Sequence, residues 1–234
     1  MDSNNSAWVT HPLGNILSLE YGSGLLASER TGSGFPVFGS SGIVGRHHSY
    51  LIEAPGIIVG RKGSIGSVFW SDEPFYPIDT TYYVQRKRDD DFRWIYWCLN
   101  YLSLNRLDTS TGVPGLNRND AYQLSFGIPP TQEQKEIADI LDAVEDAIST
   151  SIAHITKLKQ AKAGLLHDLL TRGIDENGEL RDPIRHPEKF QDSALGKTPR
   201  DWSVRRLEEL AAINSGVTLG RNVSGLGKIE LPYL

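Results

Sequence analysis

The sequence predicts an α+β chain, with a β-rich head over residues 1–130 followed by one long helix over 131–173. Three observations carry that expectation. Residues 8–88 alternate short β-forming runs with clusters of glycine, proline and serine, the pattern of a compact domain with many strands and turns. Pro129-Pro130 then bars further strand pairing. From Ile137 the apolar residues recur at alternating steps of four and three, the spacing of a helix face that packs on a second helix.

Within the head, Gly56–Gly60, Ser67–Trp70 and Thr81–Gln85 read as strands, with Ile57 and Ile58 in the core. Asp89-Asp90-Asp91 supplies acids where a helix N-terminus favours them. Phe92, Ile95, Tyr96, Leu99, Leu102 and Leu107 mostly follow helical spacing, which predicts a helix near 91–106. The stretch TSTGVPGLNRNDAY, 109–122, reads as a loop by its glycines, proline and asparagines, and 123–128 as a short closing strand.

The long helix opens with Thr131 and Gln134, the T-x-x-Q pattern of a capping box. Its seam runs through Ile137, Leu141, Val144, Ile148, Ser151, Ile155, Leu158, Lys162, Leu165 and Leu169, eight of the ten apolar. Arg172 and Gly173 mark its end. A seam of this length needs a matching rod to cover it, and Ser151 and Lys162 would help to set register. Residues 174–201 are polar and proline-bearing and read as a linker. Trp8, Leu13 and Gly22 then recur as Trp202, Leu207 and Gly216, all at an offset of 194 residues. Residues 202–234 therefore read as the start of a second copy of the head; the alternative is a coincidence between two tryptophan-bearing strand starts.

Composition excludes some classes. At 39% hydrophobic and 23% charged the 234 residues match an ordinary globular chain. No apolar run nears the roughly 18 residues of a membrane span. The N-terminus lacks a basic stretch followed by an apolar one, and the single Cys98 cannot form an internal disulfide, so a cytoplasmic location is expected. Six scattered histidines and one cysteine show no metal-ligand spacing, and no metal is expected. There is no glycine-rich methyltransferase loop and no Asn-Pro-Pro-aromatic motif. Glu133-x-Lys135 has a nuclease-like spacing but falls in the first turn of a helix, where an acid serves the dipole. No catalytic role is expected.

The net charge of −5 makes any nucleic-acid contact a local matter. Residues 40–70 hold three Lys/Arg and two His against one acid, Glu53. Gly63 and Gly66 would let a turn approach a phosphate while Arg61 and Lys62 neutralise it. A solvated hairpin whose glycines satisfy turn geometry explains the same residues. Asn117-Arg118-Asn119 could pair with bases, but such segments after Pro-Gly are commonly turns, and a structural role is expected. Arg86-Lys87-Arg88, followed at once by three aspartates, reads as a solvated strand-to-helix corner.

The order of Trp8…Leu13-Gly14, GIVGR, IIVGRKGSIGSVFW, TGVPGLNRNDAY, PPTQEQKEIADILD, KLKQAKAGLLHDLLTRGI and PRDWSVRRLEEL resembles the specificity subunit of type I DNA restriction–modification systems. The proline-flanked EQ-x-x-I-A-x-x-L-D with the later GLL-x-x-LL is the distinctive part. The resemblance implies a full subunit with two target-recognition domains, each followed by a long helix, the helices packing antiparallel and each domain reading half of a split site. It also implies double-stranded DNA, methyltransferase (M) subunits and a restriction (R) subunit as partners. S-adenosylmethionine would belong to the methyltransferase, with no cofactor in this chain. DNA-facing residues would be Ser41, Arg46, His47, His48, Arg61, Lys62 and Ser64. This chain holds one complete recognition domain, one helix and a fragment of a second domain, so a second copy is expected to pair through Ile137, Leu141, Val144, Ile148, Ile155, Leu158, Leu165 and Leu169.

Overall fold

The computed structural model describes residues 8–107 and 115–212. The chain divides into two compact units, Met1–Ser151 and Ile152–Leu234.

Among the described residues the first unit contains nine strands: β1 (Val9–Pro12), β2 (Leu17–Tyr21), β3 (Phe35–Gly39), β4 (Gly42–His47), β5 (Gly56–Gly60), β6 (Val68–Ser71), β7 (Tyr76–Pro77), β8 (Thr81–Arg86) and β9 (Ser125–Ile128). An antiparallel sheet has the order β2-β8-β5-β6, a mixed sheet the order β4-β3-β7, and β1 pairs with β9. Central strand β5 explains the stacking. Side chains alternate faces along a strand, so Ile57 and Val59 join the main core while Ile58 joins Phe38 and Phe75 on the other face. All three are fully buried.

Helix α1 (Phe92–Tyr101) covers the main core with Trp94, Ile95 and Leu99. It is capped by Asp91, whose carboxylate accepts from the Trp94 N–H at 2.8 Å. The helical spacing predicts a run to 106, but the helix ends five residues sooner. Ser103 adopts a φ of +50°, and a 3-10 turn over Leu104–Leu107 follows, with Leu104 fully buried. Gly66 meets this turn closely: a Cβ there would lie 2.3 Å from the Asn105 nitrogen. The loop reading of 109–122 is also corrected at its end. Helix α2 (Arg118–Gln123) starts at an Asn117 cap and buries Ala121. Tyr122 of this helix accepts the Leu19 N–H through its hydroxyl at 2.8 Å. Residues 108–114 lie outside the described part.

Helix α3 (Thr131–Thr171) is continuous over its 41 residues. Gln134 does not fold back in the capping box that the sequence predicts. Its side chain is 1% exposed. The amide accepts the Asp91 N–H at 2.7 Å and donates to Asp90 Oδ1 at 2.9 Å and the Pro129 carbonyl at 3.0 Å. A buried amide must find partners, and Asp90, the Asp91 N–H and the Pro129 carbonyl together supply a full set.

The second unit contains the C-terminal part of α3 and a hairpin of β10 (Phe190–Ser193) and β11 (Gly196–Pro199). Residues 174–201 are thus more ordered than a linker, because Phe190 is buried and the Arg200 guanidinium donates to its carbonyl at 3.0 Å. Arg181 grips Asp201 at 2.6 and 2.9 Å and holds that carboxyl below its usual range. A short helix α4 (Leu207–Leu210) follows. Of the second repeat, Trp202 and Leu207 are described, whereas Gly216 and everything after 212 lie outside.

Gln134→Leu removes one acceptor and two donors from a buried site while keeping the volume. Urea denaturation should show a loss of about 1–3 kcal/mol, with native secondary structure retained.

Candidate nucleic-acid interface

The turn between β5 and β6 is built by its backbone. Arg61 and Lys62 both donate their N–H groups to the Thr80 carbonyl, and the Leu116 N–H donates to the Arg61 carbonyl at 2.9 Å. Gly63 and Gly66 adopt φ values of +79° and +69°, which L side chains rarely take. Lys62 and Ser64 are left exposed at the tip. The β3–β4 turn lies alongside: a Cβ on Gly63 would be 3.4 Å from Ser40 Oγ, and Ser41 beside it is exposed.

Two residues that sequence reasoning did not place here complete the patch. Tyr21, 51% exposed at the end of β2, has the Arg61 guanidinium 4.8 Å from its ring centroid and that of Arg118 also at 4.8 Å. Arg61 donates to the Asp79 carbonyl at 2.8 Å, and Arg118 to the Leu19 carbonyl at 3.1 Å with Glu20 at 3.9 Å. Carbonyls and the Tyr21 ring orient both guanidiniums, and Arg118 is in addition paired with Glu20. Tyr82 packs behind Tyr21 at 5.2 Å. Burial, with Tyr21 beside it, raises its phenol above the ordinary value, and it donates to the Leu116 carbonyl. Arg118 carries only a local signal, a cation one residue past a helix cap; nothing local links it to Tyr21.

Arg46, His47 and His48 belong elsewhere. They lie at the far end of β4 from Ser41, about 17 Å away at strand rise. Arg46 donates to the Gly34 carbonyl at 2.6 Å and pairs with Glu73 at 3.6 Å. His47 is buried, stacked on His48 at 4.1 Å and edge-on to Tyr76 at 5.8 Å. The seven sequence candidates thus divide into Ser41, Arg61, Lys62 and Ser64 in one patch and Arg46, His47 and His48 in another. At the corner after β8, Arg88 pairs with Asp90, Lys87 donates to the Gly14 carbonyl and the Arg86 guanidinium lies over the Phe92 ring.

Helix α3 is fastened to the head over its first three turns. Glu133 accepts the Trp8 indole N–H at 3.2 Å, Ala138 is buried, and Ile137 packs on the main core. Asp142 accepts from Arg93 Nε at 2.8 and 2.9 Å and from the Trp97 indole at 2.8 Å. Farther along, the seam is open: Val144, Ile148, Ile155, Leu158, Leu165 and Leu169 are 43% to 70% exposed. Charge is segregated along the same helix. Residues 131–150 hold six acids and one lysine, whereas 151–172 hold four Lys/Arg and one acid.

Among the described residues no helix is long and apolar enough to cross a membrane, and no three His, Cys, Asp or Glu gather as metal ligands.

A family model described as the type I restriction modification DNA specificity domain matches residues 5–160. The chain is 28% identical over 162 residues to the type I restriction enzyme MjaVIII specificity subunit of Methanocaldococcus jannaschii, covering 68% of this chain and 33% of that protein. It is 23% identical over 225 residues to the EcoDI specificity subunit of Escherichia coli, covering 89% and 50%. A crystal structure of a type I restriction–modification S subunit from M. genitalium aligns with a TM-score of 0.58 at 20% identity, over 76% of this chain and 49% of that one. The matched region spans a third to a half of the length of these relatives.

Burial, and after it Asp90, push the Cys98 thiol up to about 12. Alkylation needs the thiolate, so iodoacetamide at about pH 8.5 should leave Cys98 unmodified in the folded chain and label it after denaturation, as read by intact mass.

Proposed function

Because the chain belongs to the family of type I restriction modification DNA specificity domains, we propose that it reads one half of a bipartite DNA site and is a scaffold for the enzymes that act there. The observation that carries this reading is the Arg61–Tyr21–Arg118 cluster beside the Lys62-Gly63-Ser64 tip. It puts three cations and two small hydroxyl residues, Ser41 and Ser64, at one exposed end of an acidic protein. Phosphate contacts position such a domain, and side chains at base edges then discriminate between sequences. Tyr21 offers a flat, half-exposed surface between the guanidiniums for sugar or base contact. The second patch, Arg46 to His48, has its arginine already engaged and is assigned a supporting role.

The open seam of α3 is covered by α3 of a second copy running antiparallel. Charge segregation supports that direction: it sets the acidic half of each helix against the basic half of the other, whereas parallel pairing would stack like on like. Ile137 then faces Leu169, Leu141 faces Leu165, Val144 faces Lys162, Ile148 faces Leu158 and Ser151 faces Ile155. At 1.5 Å per residue each helix contributes about 60 Å, and a C2 pair of this kind fits a palindromic split site. Methyltransferase subunits dock on this scaffold and carry S-adenosylmethionine, a restriction subunit can join them, and methylation and cleavage are their chemistry.

Titration of duplex DNA between about 50 and 200 mM salt should show log K falling linearly with log salt, at a slope of about −0.9 per phosphate contact. Arg61→Ala, Lys62→Ala and Arg118→Ala together should weaken binding and flatten that slope with the mass of the assembly unchanged. Absence of binding to any duplex at low salt, with the methyltransferase added, would instead favour a protein-binding role for the head.

Leu141→Asp with Ile148→Asp places two carboxylates in the seam. Light scattering at micromolar concentration should give a dimer for the parent chain and a monomer for this variant, with circular dichroism of the head preserved.

A further inference from the structure

We propose that the cavity at the C-terminal end of α3 is a second docking surface between copies, closing over the Trp8 end of the partner's helix. This rests on the antiparallel pairing above and extends it beyond the seam.

The cavity measures about 540 Å³, and Leu170, Leu195, Val204, Leu210 and Trp202 form its apolar wall. Leu195 is 78% exposed and Leu210 61%, so the wall faces solvent in a single chain. Thr198 lines it as well, and its hydroxyl is buried without a hydrogen-bond partner. Lys197 and Arg205 stand at the same cavity, and among the described residues neither makes an ion pair.

The other end of α3 has the complementary surface. Trp8 lies over Gly127, its indole N–H held by Glu133, and it remains 51% exposed beside Val9 at 58%. Glu133 and Glu136 have no cationic partner among the described residues. In the self-paired register that sets Ile137 against Leu169, Glu136 of one copy falls opposite Leu170 of the other and Glu133 opposite Gly173. The acidic, tryptophan-bearing end therefore arrives where the apolar cavity and its two cations begin. Both ends follow one device, a tryptophan against a glycine, since Trp202 lies on Gly173 as Trp8 lies on Gly127. Pairing brings these tryptophans to the same end of the assembly, where Lys197 and Arg205 answer Glu133 and Glu136.

The test uses the full chain. One preparation carries Glu136→Cys and another Lys197→Cys; Cys98 is partly buried, with its thiol pushed well above the ordinary range, and serves as the silent background. Mixed and mildly oxidised, the two should form a disulfide-linked pair that neither forms alone. Leu195→Asp with Val204→Asp should raise the dimer dissociation constant at least tenfold while leaving the head folded. A dimeric parent chain that gives no cross-link in the mixture and whose dissociation constant is unmoved by the double substitution overturns this docking and leaves the seam pairing intact. A parent chain that is monomeric overturns the pairing, and the docking with it.

Discussion

One buried amide sets the direction in which the long helix leaves the head. Gln134 accepts from the backbone ahead of α1 and donates to Asp90 and to the Pro129 carbonyl, so the end of β9 and the starts of two helices meet in one polar knot. Each of its bonds is short and shielded from water, and breaking any one strands a partner in the interior. Arg93 and Trp97 then hold Asp142 about two turns on, with Arg93 itself packed on Trp70 and Tyr96 at 4.7 Å each. Two fastening points hold the first three turns of the helix on the head. Gln134 and Ile137 lie on the same face as the apolar seam, which is taken up by the head over these first turns and is open from Val144 onward.

The head and the helix answer different physical demands. DNA contact asks for cations whose geometry is preset, and the carbonyl-held guanidiniums of Arg61 and Arg118 meet that. Helix pairing asks for apolar area plus a means of choosing orientation; the exposed seam of α3 offers the first and its acidic and basic halves the second. A negative chain can thus hold a locally basic surface, because screening confines each field to about 10 Å at ordinary ionic strength.

Much of the scaffold was legible from local pattern. The proline pair and the four-three rhythm located α3, the glycine-bounded run Gly56–Gly60 located the central strand, and Asp91 marked the start of α1. The departures share a cause. Helix α1 stops early because Leu104 has to enter the core where Gly66 admits the turn. The Asn117 cap hides a helix inside a stretch whose composition reads as a loop. Gln134 abandons its own helix start for partners some forty residues away in sequence.

The candidate site shows the same limit. Arg46 and Arg61 are near one another in sequence and share a basic stretch, yet strand β4 carries Arg46 away from the β3–β4 turn that lies beside the turn holding Arg61. Tyr21 and Arg118 are far apart in sequence and meet in space. Sequence alone determined the central strand, the start of α1 and the long helix with its seam, because hydrophobic period and backbone stops act over a few residues at a time. Only the tertiary structure decided which cations stand together and which amide fastens the helix, because burial sets those choices and burial is a property of the whole packed chain.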